Sequence, residues 1–147
     1  MSETKQLDAV FLKHMERGAE FLGCRYPIIS GAMTWVSDPA LVAAVLNAGC
    51  FACIAGGNAP TEVLERQIDE TRALSDRNFA VNPTHIAPNY KAHRELLKTK
   101  KVPYIVFAGS IPKDSEIMEA KATGAKVLCF ASTISIALKM IKSGADA

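Results

Sequence analysis

One pattern recurs along the chain: a short apolar run rich in β-branched residues, a loop of small or polar residues, a helical stretch, and a glycine stop. The runs are YPIIS, CFACIAG, NFAVNP, PYIVFAG and KVLCFAS. None alternates cleanly between apolar and polar residues, so each predicts a strand buried on both faces of a parallel sheet. Ahead of them a helix is predicted from Leu7 to about Arg17. The helices between the runs carry their own start and stop signals. Asp38 can cap the first, with Pro39 at a position where a missing N–H costs little, and Gly49 can end it in the left-handed conformation. APTEVLERQIDETRALSD places Pro60 in the first turn and Val63, Leu64, Ile68 and Leu74 near one face. NYKAHRELLKTKK finishes in a basic cluster, which suits the negative end of a helix dipole. PKDSEIMEAKATG opens acidic and stops at Gly124, and Ser132 or Thr133 can cap ISIALKMIKSG, which stops at Gly144.

Strict alternation of strand and helix implies a parallel sheet with right-handed crossovers. Two architectures satisfy it. A five-stranded doubly wound sheet fits the 147 residues. A (β/α)8 barrel needs about 250, but the closing SGADA has the form of a glycine stop leading into a sixth strand.

Composition narrows the partners. The chain is 49% hydrophobic and 22% charged, a normal globular mix, and its net charge of +2 comes from scattered Lys and Arg. That argues against a nucleic-acid groove and against a basic membrane patch. MSETKQLDAVFLKHMERG has no uninterrupted apolar core of a secretory signal, and no run reaches membrane-spanning length, so the expected location is cytoplasmic. Cys24, Cys50, Cys53 and Cys129 lie in apolar surroundings. CFAC has the spacing of a redox or metal pair, but residues three apart on a strand point to opposite faces, and no further Cys or His completes a zinc set. Buried small hydrophobes are the reading taken, with no metal.

In either architecture ligands bind at the carboxyl ends of the strands. There the chain places Gly31–Ala32–Met33, Gly56–Gly57–Asn58, Asn82–Pro83–Thr84–His85, Ala108–Gly109–Ser110 and Ala131–Ser132–Thr133. Small residues let a flat ligand approach the main chain and meet its N–H groups, although such turns favour Gly and Asn in any case. No GxGxxG, Walker loop, GxSxG elbow or HExxH is present. His85 is the candidate acid or base on an active-face loop; with no carboxylate partner identifiable, a loop histidine without catalytic duty stands beside that reading. His14 and His93 fall in helical patterns and are expected at the surface or half-buried.

The combination YPIISGAMTWVSDPALVAAVLNAG, IAGGNAPTEVLERQI and FAVNP resembles the nitronate monooxygenase (2-nitropropane dioxygenase) family, nearest its flavin-dependent enoyl-acyl-carrier-protein reductase branch. The likeness runs from about Phe21 to the last residue. It implies an FMN-binding TIM barrel of which the chain carries about the first five βα units, with residues 1–22 an N-terminal helical segment and 23–147 the N-terminal part of the barrel. It also implies an oxidoreductase moving hydride from NAD(P)H through FMN to an enoyl thioester, or oxidising an alkyl nitronate with O2. Main-chain groups of Ala32 and Met33 would reach the N5–O4 edge of the flavin, with Met33 packed on the ring. Asn82 would bond its pyrimidine side, and Gly31, Gly56, Gly57, Gly109 and Ser132 would line or lower the pocket.

The family's catalytic histidine, in a Gly-Gly-His segment after strand six, and its phosphate-holding loops after strands seven and eight would lie beyond Ala147. The 147 residues alone are therefore expected to be inactive. A homo-oligomer, or association with the missing barrel half, is expected, and a fragment acting only as an assembly piece is the alternative. An FMN barrel of the inosine-monophosphate dehydrogenase type is a third reading. The chain departs from the family pattern in Cys50, Phe51 and Ala52, and in the polar loop PTHIAPNY.

Overall fold

The computed structural model describes residue 13 and residues 15–147. Residues 15–22 are helical and form the part of α1 described; the expected start at Leu7 lies outside the described residues. The helix runs past Arg17, its expected end, to residue 22. Gly18 serves packing: a Cβ there would sit 2.9 Å from the Pro27 side chain. Then follow β1 (Ile29–Ser30), α2 (Pro39–Asn47), β2 (Phe51–Ala55), α3 (Thr61–Leu74), β3 (Ala80–Asn82), α4 (Tyr90–Lys100), β4 (Tyr104–Phe107), α5 (Asp114–Ala122), β5 (Lys126–Cys129) and α6 (Ile134–Lys142).

All neighbouring strands are parallel, and their order in the sheet is their order in sequence. The two faces of the sheet bury different things. Ala52, Ile54, Val81, Ile105 and Val127 pack outward against Val42 and Leu46 of α2, Leu64 and Ile68 of α3, Leu97 of α4, Ile117 of α5 and Met140 of α6. Phe51, Cys53, Ala80, Tyr104 and Val106 point the other way and meet Leu22 at the end of α1. Helices α2–α6 therefore cover one face only. A doubly wound sheet covers both faces and reverses its strand order midway. Sequential order with one-sided helices is the arc of a (β/α)8 barrel, whose inner face is filled by side chains from the strands. No helix of the described residues is long and apolar enough to cross a membrane.

The N-terminal end of the barrel interior is closed by α1. Tyr104 Oη donates to the Phe21 carbonyl at 2.6 Å and Lys126 Nζ to the same oxygen at 2.8 Å. Phe51 stands edge-on to Tyr104, ring centroids 4.9 Å apart. The opposite end, where the strands finish, is left to the loops.

Helix termini follow the sequence signals closely. Asp38 Oδ1 accepts from Leu41 N at 2.8 Å, with Pro39 next to it at the helix start. Of the two candidates before α6, Thr133 is the cap, accepting from Ile136 N at 3.3 Å. Pro60 is the residue before α3 rather than part of its first turn. At the far end, Asp146 N donates to Val127 O and Cys129 N to Ala147 O, both at 2.8 Å, so residues 146–147 pair with the free edge of β5.

Candidate functional site

The loop after β1 is held by one hydroxyl. Ser37 Oγ donates to Gly31 O at 3.1 Å and accepts from Met33 N at 2.9 Å. Ser37 N and Val36 N both return to Met33 O. Ser37 itself is buried, 3% exposed, while Gly31, Met33 and Val36 around it are exposed. The knot has a direct consequence for the two amides of interest. The Met33 N–H is already engaged by Ser37, whereas the Ala32 N–H makes no hydrogen bond among the described residues. The Met33 side chain sits on the rim, 44% exposed. Ser37 escaped the sequence reading; the signal available was a serine just ahead of the Asp38 cap, six residues after Gly31 in GAMTWVSDP.

Beside this loop the inner face of the sheet opens into a cavity of about 350 Å³. It is within the range of small-molecule sites, about 300–1,000 Å³. Its walls are Ile29, Gly31, Ala32, Phe51, Cys53, Asn82, Val106, Ala108, Leu128 and Phe130. Asn82 is the one polar side chain among non-cysteine wall residues. Its Oδ1 accepts from Thr84 N at 2.9 Å, and its Nδ2 makes no hydrogen bond among the described residues. A second cavity of about 310 Å³ adjoins it through Phe130 and is lined by Gly109 and Ser132, among others. The strand ends thus bring Gly31, Ala32 and Asn82 together, with Gly109 and Ser132 in the neighbouring hollow.

Gly56 and Gly57 do not line either cavity. They lie one layer behind. A Cβ on Gly56 would meet Asn82 O at 2.8 Å and His93 Nδ1 at 3.1 Å, and one on Gly57 would meet Thr34 Oγ1 at 2.6 Å. Both glycines are there because neighbouring loops pack tightly upon them.

His85 is not among the cavity linings. Its ring packs on Tyr90 at 4.6 Å, and its Nδ1 lies 3.7 Å from Glu116 Oε2, too far for a hydrogen bond. Glu116 is the carboxylate neighbour the sequence did not reveal. It is itself held by Arg94 Nη1 at 3.0 Å and the Lys113 amide at 2.8 Å. Burial, then the charge of Glu116, raises the Tyr90 phenol well above its ordinary value. His93 departs from expectation: it is fully buried, with Nε2 donating to Ala59 O at 2.9 Å. His14 lies outside the described residues. Among the described residues no three His, Cys, Asp or Glu side chains converge as a metal site.

Cys53 faces the cavity floor, and burial pushes its thiol up to about 12. The thiolate is the reactive form. Cys53 is therefore expected to resist iodoacetamide at pH 8 in the folded protein and to alkylate on unfolding in urea, read by mass spectrometry of the peptide carrying it. Rapid labelling of Cys53 in the native state would contradict the closed floor.

Residues 16–92 match the family described as nitronate monooxygenase. The chain is 33% identical over 128 residues to the (3aS,4S,5R,7aS)-5-hydroxy-7a-methyl-1-oxo-octahydro-1H-indene-4-carboxyl-CoA dehydrogenase of Rhodococcus jostii, covering 87% of this chain and 36% of that protein. It is 27% identical over 166 residues to a probable nitronate monooxygenase of Staphylococcus aureus, covering 89% and 47%. Among solved structures, FabK from Thermotoga maritima superposes with a TM-score of 0.84 at 32% identity, over 88% of this chain and 42% of that one. Nitroalkane oxidase from Streptomyces ansochromogenes shares the fold, with a TM-score of 0.79 at 24% identity over 88% and 46%. The chain thus spans less than half the length of each of these relatives.

Proposed function

Because the chain belongs to the nitronate monooxygenase family, we propose that its strand-end cavity takes the isoalloxazine ring of FMN and that the protein is a flavin-dependent oxidoreductase. The observation that carries this reading is the donor set of the cavity. Two donors without a hydrogen bond among the described residues, Ala32 N–H and Asn82 Nδ2, belong to wall residues at strand ends on either side of β2, and the remaining walls are apolar side chains, glycine and Cys53. Those features suit a flat ring with polar acceptors on its rim. Gly31 adds room, since a Cβ there would meet nothing within 4 Å.

FMN bound there would supply hydride transfer. The chain's residues would do the rest. Ala32 N–H would donate to the ring's acceptor edge, where a hydrogen bond favours the negative charge that builds on reduction. Asn82 would donate to a ring carbonyl. Phe130, Val106 and Leu128 would exclude water from the ring, and Ser37 would keep the β1 loop from collapsing into its place.

We assign the reaction as hydride transfer from NAD(P)H to an enoyl thioester. Supporting it are the 32% identity to FabK and the 33% identity to a carboxyl-CoA dehydrogenase. Alkyl-nitronate oxidation is the second reading, favoured by the family match and the Staphylococcus aureus relative.

The test is an FMN titration of the purified chain followed by flavin fluorescence, with riboflavin alongside. Saturable binding of both is expected, because the ring is what the cavity holds. Replacing Asn82 by Leu should weaken binding by about tenfold, the worth of one lost hydrogen bond in a dry site. No saturable change with either flavin would overturn the proposal.

A further inference from the structure

Asn82 can offer a donor to the cavity only because another group occupies its oxygen. That group is the Thr84 N–H, 2.9 Å from Asn82 Oδ1. Thr84 reaches it from an unusual backbone, φ 50°. A β-branched residue in the left-handed region is strained, so something must hold it there. The Thr84 hydroxyl accepts from Gly57 N at 3.3 Å, and the Thr84 carbonyl accepts from Ala87 N at 2.9 Å. The Gly57 loop is fixed in turn: Gly56 N donates to Asn82 O at 2.8 Å, and Ala59 O takes Asn89 Nδ2 and the buried His93 Nε2, each at 2.9 Å. The loop after β2, the end of β3 and helix α4 are one hydrogen-bonded unit with the Asn82 amide at its exit.

We propose that Thr84 is a positioning residue that locks the Asn82 amide with its NH2 group facing the cavity, so that the ligand must present a carbonyl-type acceptor at that end. The lock is a property of this chain alone. The identity of the ligand, FMN, rests on the function proposed above. The lock also explains why a strained threonine stands at this position: its N–H fixes Asn82 within its own loop, and its hydroxyl ties that loop to the one after β2.

Three substitutions separate the parts. In Asn82→Asp both side-chain oxygens accept, so the Thr84 bond persists while the inward group changes from donor to acceptor. Thr84→Val keeps the shape but removes the acceptor for Gly57 N, and Thr84→Ser restores it. In flavin-free protein, hydrogen exchange of the Thr84 amide should be slow in wild type and Asn82→Asp, and about tenfold faster in Asn82→Leu. With FMN, Asn82→Asp should bind about tenfold more weakly despite an intact lock, and Thr84→Val about threefold more weakly, with Thr84→Ser near wild type. Raman spectra of bound flavin should show a ring carbonyl stretch moved to higher frequency in Asn82→Asp and Thr84→Val but not in Thr84→Ser. Equal Thr84 exchange in wild type and Asn82→Leu sinks the lock. Wild-type affinity and an unshifted carbonyl band in Asn82→Asp sink the inward donor. If wild-type protein binds no flavin, the cofactor reading fails, and the exchange comparison still decides the lock.

Discussion

Phe51→Ala is expected to lower the free energy of unfolding by about 3–5 kcal/mol, the range for deleting a buried aromatic ring. Phe51 is fully buried at the start of β2, on the inner face of the sheet. Two contributions add. The first is the lost transfer free energy of the ring together with its edge-to-face contact with Tyr104, at 4.9 Å and 74°. The second is the void left behind, because close-packed interiors relax only partly around a deletion. The void would open at the floor of the strand-end cavity, which Phe51 lines. Tyr104, freed on one side, would hold the Phe21 carbonyl less firmly, so α1 should loosen with it. Urea unfolding measures the first effect and hydrogen exchange in residues 15–22 the second. A loss under about 1 kcal/mol would mean that the inner face is not packed as described.

Gly56→Ala should destabilise by about 1–3 kcal/mol, an overpacking cost. The new methyl would lie 2.8 Å from Asn82 O and 3.2 Å from Pro83 Cα. Both are backbone atoms, which cannot rotate aside as a side chain would. Relief requires the end of β3 to move, and Asn82 moves with it. Flavin affinity should therefore fall together with stability. Gly31→Ala supplies the contrast, since its added methyl meets nothing within 4 Å in the protein. Its stability should stay within about 0.5 kcal/mol of wild type, while the methyl occupies space the ring would need. Thermal melts and FMN titrations of the two variants should separate: both properties fall in Gly56→Ala, and affinity alone falls in Gly31→Ala.

The contrast between those two glycines marks how far the chain could be read in one dimension. GAM and GGN looked alike as small-residue turns at strand ends. Only packing distinguishes a glycine that leaves a cavity open from one squeezed between two loops. His85 and His93 make the same point. The histidine on the loop turned toward Glu116 and Tyr90, away from the cavity, and the one in the polar-looking helix became the buried partner of Ala59. The cavity walls Val106, Leu128 and Phe130 were visible only as members of apolar runs; which of them face inward depends on the sheet's pleat and curvature.

What the amino-acid order settled was local: the apolar runs, the Asp38 cap, a cap at Ser132 or Thr133, the glycine after each of α2, α5 and α6, and hence five strand–helix units. Those signals act between residues a few positions apart, so they are written in the order itself. The tertiary structure decided everything that depends on residues far apart in the chain. It put helices α2–α6 on one face of the sheet, which is the barrel arc the family resemblance implied and the strand–helix alternation alone left open. It also engaged Met33 N–H with Ser37 while leaving Ala32 N–H without a partner among the described residues, and it bonded the Asn82 side-chain oxygen to the Thr84 amide. Hydrogen bonds and close packing saturate: each donor, acceptor and unit of space serves one partner, and which partner takes it is known only once the strands stand side by side.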